Sequence, residues 1–206
     1  MHKGKYEYLP ITDLKDMLDK TGKLYSNKIA YQIRKKDNTY EMINHQEVRE
    51  QINALGTALI DMGLKNKRIA VIGENRYEWE IAYLAIVCGT GIVVPFDKSL
   101  PENELKSVIE RSNIEAIIYS KKYEETLKKM KFQGVGNLKH LISMDLENNQ
   151  DGIYSQKELI EKGKKLVQNG DTRFTGAKIN PEEMSIMLFT SGTTAASKIV
   201  ALSHHN

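Results

Sequence analysis

The sequence is poor in cysteine and has no apolar run long enough to cross a membrane. Its single cysteine, Cys88, excludes an internal disulfide, so we expect a reducing, cytoplasmic setting. The most apolar stretch, residues 81–96, is interrupted by Gly89 and Gly91 and is too short to span a bilayer. The polar start of the chain does not resemble a signal peptide. We therefore predict no transmembrane segment, and leave peripheral contact with a membrane open.

An excess of charge of one sign is also missing. The chain has 30 basic and 27 acidic residues, which leaves a net charge of +3 over 206 residues. No stretch concentrates basic residues with aromatic residues between them, and the lysine-rich segment 121–131 also contains Glu124 and Glu125. Such a mixed segment is typical of a solvated helix face. We therefore predict no nucleic-acid partner.

Apolar segments recur at the interval of one strand plus one helix. The strand candidates begin at four positions: Ile69, Ile92, Ala116 and His140. These starts are 23, 24 and 24 residues apart, and helical patterns lie between them at residues 77–88, 102–111 and 123–130. Continuously apolar strands are expected where helices cover both faces of a parallel sheet. We predict an α/β fold with a largely parallel β-sheet and helices on both faces.

Further elements flank these units. A helical pattern covers residues 11–22, and a hairpin is predicted from residues 29–33 and 39–43. Asn44 and Glu47 form the N-cap pair of a helix that ends at Gly63. Towards the C-terminus, the sequence predicts the following: a helix over 155–167 opened by the capping-box pair Ser155 and Glu158, a polar connector over 168–183, and a strand over 184–189.

The segment directly after the last strand has the composition of a phosphate-binding loop. It contains five hydroxyl side chains, one glycine and one lysine within nine positions: Thr190, Ser191, Gly192, Thr193, Thr194, Ser197 and Lys198. Hydroxyl groups donate to phosphate oxygens, glycine permits close approach of the backbone, and lysine adds positive charge. It is not a Walker loop, because a serine precedes the lysine. By composition alone, a surface loop rich in serine and threonine remains an equal alternative.

The order of the residues favours the phosphate loop. The stretch Leu-Phe-Thr-Ser-Gly-Thr-Thr at 188–194, then Lys198, then Leu-Ser-His-x-Asn at 202–206, resembles the signature of the adenylate-forming superfamily. That superfamily includes acyl-CoA synthetases, firefly-type luciferases and peptide-synthetase adenylation domains. Four other segments are also similar to the front half of the family: 68–79, 82–85, 91–95 and 100–112. The amino-acid sequences of segments 74–79 and 158–163 are most similar to those of long-chain fatty acid synthetases.

The resemblance implies a function and a set of site residues. In the family, a carboxylate attacks the α-phosphate of ATP, and coenzyme A then captures the acyl-adenylate. The loop grips the β- and γ-phosphates alongside Mg²⁺. By position, Thr190, Ser191, Thr193 and Thr194 would donate to phosphate oxygens, Gly192 would permit close approach, and Lys198 would neutralise charge. The expected small-molecule partners are a fatty acid, ATP and coenzyme A.

The sequence departs from the family pattern inside and just after the loop. The family usually has Gly, Pro and Gly where this chain has Ala195, Ser197 and Ile199. A β-branched residue at position 199 loses conformations that glycine adopts readily. This departure affects the expected mobility of the loop more than its phosphate contacts, because the hydroxyl groups and the lysine are retained.

The resemblance also implies how the chain is organised. We expect residues 1–183 to form the N-terminal α/β subdomain of the large domain of an acyl-CoA synthetase. Residues 184–206 would supply a strand and the phosphate-binding loop that open the next, truncated subdomain. The family's adenine and acyl pockets, its metal-binding glutamate and its catalytic lysine lie downstream, so we predict no catalytic residue and no metal ligand in this chain. We expect the 206 residues alone to be inactive as a ligase.

Two alternatives remain open. One is a non-catalytic nucleotide-binding or interaction module derived from a ligase, and the other is an adenylating enzyme for a different carboxylic acid. The single cysteine, the single tryptophan and the two adjacent histidines are interpreted without a role in a functional site. We predict that Cys88 is a packed core thiol and Trp79 a packing residue, and that His204 and His205 form no metal site.

Overall fold

The computed structural model describes residues 9–190 and 197–206. The first elements are α1 (Leu14–Leu24), β1 (Ile29–Arg34), β2 (Tyr40–Asn44) and α2 (His45–Asp61). The strand–helix units follow as β3 (Arg68–Ile72), α3 (Tyr77–Ala85), β4 (Ile92–Pro95), α4 (Glu102–Ser112), β5 (Ala116–Tyr119), α5 (Glu124–Phe132) and β6 (His140–Ser143). The last elements are β7 (Ile153–Ser155), α6 (Gln156–Gln168), β8 (Ile186–Thr190) and β9 (Lys198–Leu202). Within this part of the chain, no helix is long and apolar enough to cross a membrane.

Among the described residues, seven strands form the central sheet, in the order β7-β6-β5-β3-β4-β8-β9. All neighbouring pairs are parallel except β8 and β9, which are antiparallel. Strands β1 and β2 form a separate antiparallel hairpin. The predictions of a largely parallel sheet and of the hairpin are confirmed. The strand starts at Ile92, Ala116 and His140 are also confirmed, whereas β3 begins at Arg68, one residue before the predicted start at Ile69. The strands β7 and β9 were not predicted from the sequence.

Helices cover both faces of this sheet, as predicted. Alternate residues of a strand point to opposite faces. Ile69 and Val71 of β3 accordingly belong to one buried cluster with residues of α2, α3 and α6, whereas Ala70 and Ile72 belong to another with residues of α4 and α5. All four side chains are completely buried. A strand buried on both faces needs apolar residues at every position, which explains why the sequence shows continuous apolar runs.

Helix α3 gives way to a different kind of helical turn. The pattern over 77–88 predicts one helix, but the α-helix ends at Ala85 and a π-helical turn (Ile86–Thr90) continues the chain. The Gly91 amide donates to the Ile86 carbonyl at 3.0 Å, and the Thr90 hydroxyl donates to the Ala85 carbonyl at 2.8 Å. Gly89 has φ +148°, a conformation that favours glycine. This turn redirects the chain into β4.

Cys88 lies in this turn and is completely buried. Burial raises the pKa of its thiol to about 12, so the thiol is neutral at physiological pH. The prediction of a packed core thiol is confirmed. Trp79 also packs as predicted, since its ring stacks on Tyr83 with centroids 5.4 Å apart.

The two predicted capping boxes form to different extents. At α2 the box is complete, because Asn44 Oδ1 accepts from the Glu47 amide at 2.9 Å and Glu47 Oε2 accepts from the Asn44 amide at 2.7 Å. At α6 only half is present. The Ser155 hydroxyl accepts from the Glu158 amide at 3.2 Å, but the Glu158 carboxylate accepts from the Asn149 amide at 2.7 Å instead. Glu158 therefore fastens the preceding loop to the helix.

The complete cap gives a first testable prediction. We expect Asn44→Ala to lower the free energy of unfolding by about 1 kcal/mol. The Glu47 amide loses its side-chain acceptor, and the Glu47 carboxylate loses the reciprocal contact that keeps it beside the amide of residue 44. Urea unfolding followed by circular dichroism measures this change. The matched control is Gln46→Ala in the same helical turn, where the side chain is exposed and bonds Glu50. Equal effects of the two substitutions would contradict the assignment of Asn44 as a stabilising cap.

Candidate phosphate-binding site

The predicted phosphate loop connects two antiparallel strands. Thr190 is the last residue of β8, Lys198 is the first residue of β9, and the two are paired across the hairpin. Both are exposed. Residues directly opposite each other in an antiparallel pair place their side chains on the same face. The hairpin therefore brings a hydroxyl group and an ammonium group together where the loop begins and ends.

The other predicted site residues fall in the loop between these strands. Ser191, Gly192, Thr193 and Thr194 lie outside the described residues. Thr190 and Lys198 are the members of the predicted set whose positions the structure gives. The strand β9 was missed although its sequence carried a signal, since Lys198 is followed by the β-branched pair Ile199 and Val200.

The base of the hairpin is fixed to the sheet. The Val93 amide of β4 donates to the Ser185 carbonyl at 3.0 Å, and Val93 pairs with Ile186. The Ser185 amide in turn donates to the Leu202 carbonyl at 2.9 Å. Thr190 is the last residue of β8, and β8 runs parallel to β4. Thr190 therefore lies at the edge of the sheet that the carboxyl ends of the parallel strands form. In open parallel sheets this end of the strands is where ligands bind.

Charged side chains join the loops at the carboxyl ends of the parallel strands. Arg76, which follows β3, contacts Glu78 and Asp145 at 2.6 Å each, and Asp145 follows β6. Glu74 contacts Lys122 at 2.9 Å. The Ser120 hydroxyl and the Lys122 ammonium lower the pKa of Glu74 to about 2, which keeps its carboxylate charged. Each of these groups has a partner of opposite charge, so the segment 74–79 has a structural role in holding neighbouring loops together.

Arg111, a side chain of α4, reaches the end of the hairpin next to the loop. Arg111 Nη1 donates to the Ser197 hydroxyl at 3.0 Å and Nη2 donates to the Ser197 carbonyl at 2.6 Å. Its guanidinium also lies 5.4 Å from the centre of the Phe189 ring. That ring contacts Phe96 edge-to-face, with centroids 6.0 Å apart. Sequence reasoning missed Arg111, because no local pattern within α4 distinguishes it from the other charged residues.

The two histidines after β9 have separate protein partners. His204 Nδ1 accepts from the Leu14 amide at 3.2 Å, and His205 Nδ1 lies 2.6 Å from Glu182 Oε1. Among residues 9–190 and 197–206, no group of three or more histidine, cysteine, aspartate or glutamate side chains is arranged to hold a metal ion. Burial lowers the pKa of His204, and the bond from Leu14 requires an unprotonated Nδ1.

This lowered pKa leads to a prediction about pH dependence. Burial also lowers the pKa of His140, so the unfolded chain binds protons at both positions more readily than the folded protein does. The free energy of unfolding should therefore rise with pH up to about the unperturbed histidine pKa of ~6.5 and level off above it. We expect His204→Gln to reduce this slope, and His140→Gln with His204→Gln to reduce it further. Urea unfolding across this pH range tests it, and an unchanged slope in the double variant would contradict it.

Comparisons with known proteins agree with one another. Residues 18–206 match the family described as "AMP-binding enzyme". The chain is 30% identical over 213 residues to "Fatty acyl-CoA synthetase B" of Dictyostelium discoideum, a match that covers 95% of this chain and 31% of that protein. It is 24% identical over 220 residues to "Long-chain-fatty-acid--CoA ligase 1" of Homo sapiens, covering 98% of this chain and 30% of that protein.

Solved structures share the fold. The crystal structure of a long-chain-fatty-acid-CoA ligase from Archaeoglobus fulgidus superposes with a TM-score of 0.76 at 20% identity. That match covers 97% of this chain and 39% of the other. The chain thus spans about a third of the length of the curated relatives it matches, namely 31% and 30% of the two described above.

Proposed function

Because the chain belongs to the family of AMP-binding enzymes, we propose that it forms the N-terminal part of an ATP-dependent fatty acid–CoA ligase. The names of its relatives in Dictyostelium discoideum and Homo sapiens support the fatty acid as the acid substrate. The observation that carries the proposal within the structure is the hairpin β8–β9, which pairs Thr190 with Lys198 at the ends of the hydroxyl-rich loop.

The proposed reaction has two steps. In the first, a carboxylate oxygen of the fatty acid attacks the α-phosphorus of ATP, and pyrophosphate leaves with the electrons of the broken P–O bond. In the second, the thiol sulfur of coenzyme A attacks the acyl carbon and loses its proton to solvent, and AMP leaves with the former carboxylate oxygen. The products are acyl-CoA, AMP and pyrophosphate, so the thioester is formed at the expense of a phosphoanhydride.

The loop acts in the first step by electrostatics and positioning. Negative charge accumulates on the leaving pyrophosphate as its bond to the α-phosphorus breaks. Hydroxyl donors and a cation placed beforehand stabilise that charge without rearranging during the reaction. In this proposal Lys198 supplies the cation, Thr190, Ser191, Thr193 and Thr194 supply the donors, and Gly192 lets the backbone approach the phosphates.

Magnesium enters this account as part of the substrate. Mg²⁺ in nucleotide sites is commonly held by phosphate oxygens and by few protein carboxylates. The described residues bring together no acidic or histidine cluster that fits the ion. ATP would arrive as its magnesium complex, and the exposed ammonium of Lys198 would complement the remaining negative charge.

The proposed division of the chain follows from the same site. We propose that residues 1–183 form the N-terminal subdomain and that residues 184–206 supply the strand and the loop where the next subdomain begins. The strands β8 and β9 extend the central sheet on the β4 side, so Thr190 and Lys198 lie near one margin of this sheet. A neighbouring subdomain that contacts this margin would enclose the ATP phosphates between the two parts.

The proposal is tested with the full-length protein that carries this chain. We expect it to convert a long-chain fatty acid, ATP and coenzyme A into acyl-CoA and AMP, and to exchange labelled pyrophosphate into ATP only when the acid is present. The 206-residue chain alone should form no AMP under the same conditions. Binding of ATP by the full-length protein without acid-dependent exchange, across a panel of carboxylic acids, would contradict the ligase proposal and favour a non-catalytic nucleotide-binding module.

A further inference from the structure

The contact between Arg111 and Ser197 joins two parts of the chain that are 86 positions apart. One guanidinium donates to both the hydroxyl and the carbonyl oxygen of the same serine, at 3.0 and 2.6 Å. The planar guanidinium presents its donors in a fixed arrangement, which an ammonium group cannot reproduce. The contact therefore constrains both the backbone position and the side-chain rotamer of Ser197.

The contact between Arg111 and Ser197 lies directly beside the candidate phosphate loop. Ser197 immediately precedes Lys198, the cation at the end of the candidate phosphate loop. The base of the hairpin is fixed through Val93 and Ile186, near the start of β8. Close to the loop, Phe189 contacts both the Arg111 guanidinium and the Phe96 ring. Arg111 of α4 and Phe96, which follows β4, thus anchor the end of the hairpin next to the loop.

We propose that Arg111 is a positioning residue that holds Ser197, and through it Lys198, in the geometry that receives the ATP phosphates. This inference rests on the function proposed above. A lysine whose backbone is already held in place loses less conformational freedom when the nucleotide binds, and the affinity for the nucleotide rises accordingly. In this proposal, Arg111 acts through Ser197 and does not itself contact the substrate.

The test compares Michaelis constants in the full-length protein. We expect Arg111→Ala to raise the KM for ATP about tenfold, which corresponds to about 1.4 kcal/mol, and to leave the KM values for fatty acid and coenzyme A within about twofold. Arg111→Lys should restore only part of this loss, because lysine lacks the paired donors. Lys106→Ala, an exposed position on the same helix, is the matched control and should change none of the three constants.

A second serine-based variant separates positioning from general damage. Ser197→Ala removes the hydroxyl acceptor and retains the carbonyl, so we expect a smaller increase in the KM for ATP, of about threefold. In the Arg111→Ala background, Ser197→Ala should add no further increase in the KM for ATP, because the contact between the two residues is already lost. Equal increases for all three substrates, or an unchanged KM for ATP in Arg111→Ala, would overturn the inference.

Hydrogen–deuterium exchange without nucleotide makes the outcome independent of activity. We expect Arg111→Ala to accelerate exchange at the start of β9, and Lys106→Ala to leave it unchanged. Unchanged exchange in Arg111→Ala would overturn the inference whatever the kinetics. If the wild-type protein shows no acid-dependent pyrophosphate exchange, the proposed function fails, and the role of Arg111 in phosphate binding fails with it, even where the accelerated exchange shows that the contact exists.

Discussion

Replacing Gly163 with valine is expected to lower the free energy of unfolding by about 3 kcal/mol or more. Gly163 lies in α6 where that helix packs directly on α2, and it is buried. A Cβ atom at this position would lie 1.8 Å from the Ala54 carbonyl oxygen and 2.5 Å from its carbonyl carbon. These are backbone atoms of α2, so no side-chain rotation relieves the overlap.

The two helices must therefore separate or shift to accept any side chain at position 163. Separation uncovers apolar residues that the contact buries, among them Leu55 of α2 and Leu159 of α6. Loss of close packing between helices adds to the steric cost, because the interior tolerates neither overlap nor voids. The expected effect is accordingly larger than that of an ordinary surface substitution, which usually stays within about 0.5 kcal/mol.

Urea unfolding followed by circular dichroism measures the effect, with Gly22→Ala as the matched control. Gly22 is also a buried helical glycine, but the atoms nearest to a Cβ there belong to the flexible side chain of Arg49, with Cδ at 2.7 Å. That side chain can move, and alanine favours the helix over glycine by about 1 kcal/mol. Gly163→Val with the stability of the wild type would show that α2 and α6 do not pack as described.

The second large effect concerns catalysis. In the full-length protein, Lys198→Ala is expected to lower the rate of acyl-adenylate formation by a factor on the order of 10², the scale seen when one preorganised electrostatic contact to a transition state is removed. The loss should fall on the step that releases pyrophosphate, because charge develops there. Lys198 is exposed and stands opposite Thr190 at the start of the loop, so the fold itself should be unaffected.

Acid-dependent exchange of labelled pyrophosphate into ATP measures this step without coenzyme A. Lys198→Arg keeps the positive charge and should retain more activity than the alanine variant. Lys106→Ala removes an exposed lysine of α4 and serves as the control for nonspecific loss of charge. A Lys198→Ala protein with an unchanged exchange rate would remove this lysine from the phosphate site, although the family membership would stand.

The sequence predicted the parts of the fold that depend on local pattern. The strands β3 to β6 follow from apolar runs at regular intervals, and the cap of α2 follows from Asn44 and Glu47, only three positions apart. The strand β7 has three residues, too few to show a period. The strand β9 is a short apolar run directly after a segment whose composition indicated a loop.

What escaped prediction depends on contacts that residue periodicity and spacing do not reveal. The Glu158 carboxylate completes no capping box because Asn149, which the fold brings nearby, offers an amide at 2.7 Å. The helix after Tyr77 becomes a π-helical turn because Thr90 and Gly91 close it onto Ala85 and Ile86. Arg111 reaches Ser197 only through the three-dimensional arrangement. Composition and order thus predicted the loop, whereas the structure revealed the side chain that we propose positions Ser197 and Lys198.

Isotope transfer tests the central claim, that this chain belongs to an enzyme which activates a fatty acid as its adenylate. The full-length protein is given a fatty acid labelled with ¹⁸O in both carboxylate oxygens, together with unlabelled ATP and coenzyme A, and the AMP is analysed by mass spectrometry. The account predicts one ¹⁸O atom in each AMP molecule, because a carboxylate oxygen bonds to the α-phosphorus and leaves with it. Label in inorganic phosphate, or acyl-CoA formed with unlabelled AMP, would contradict the account.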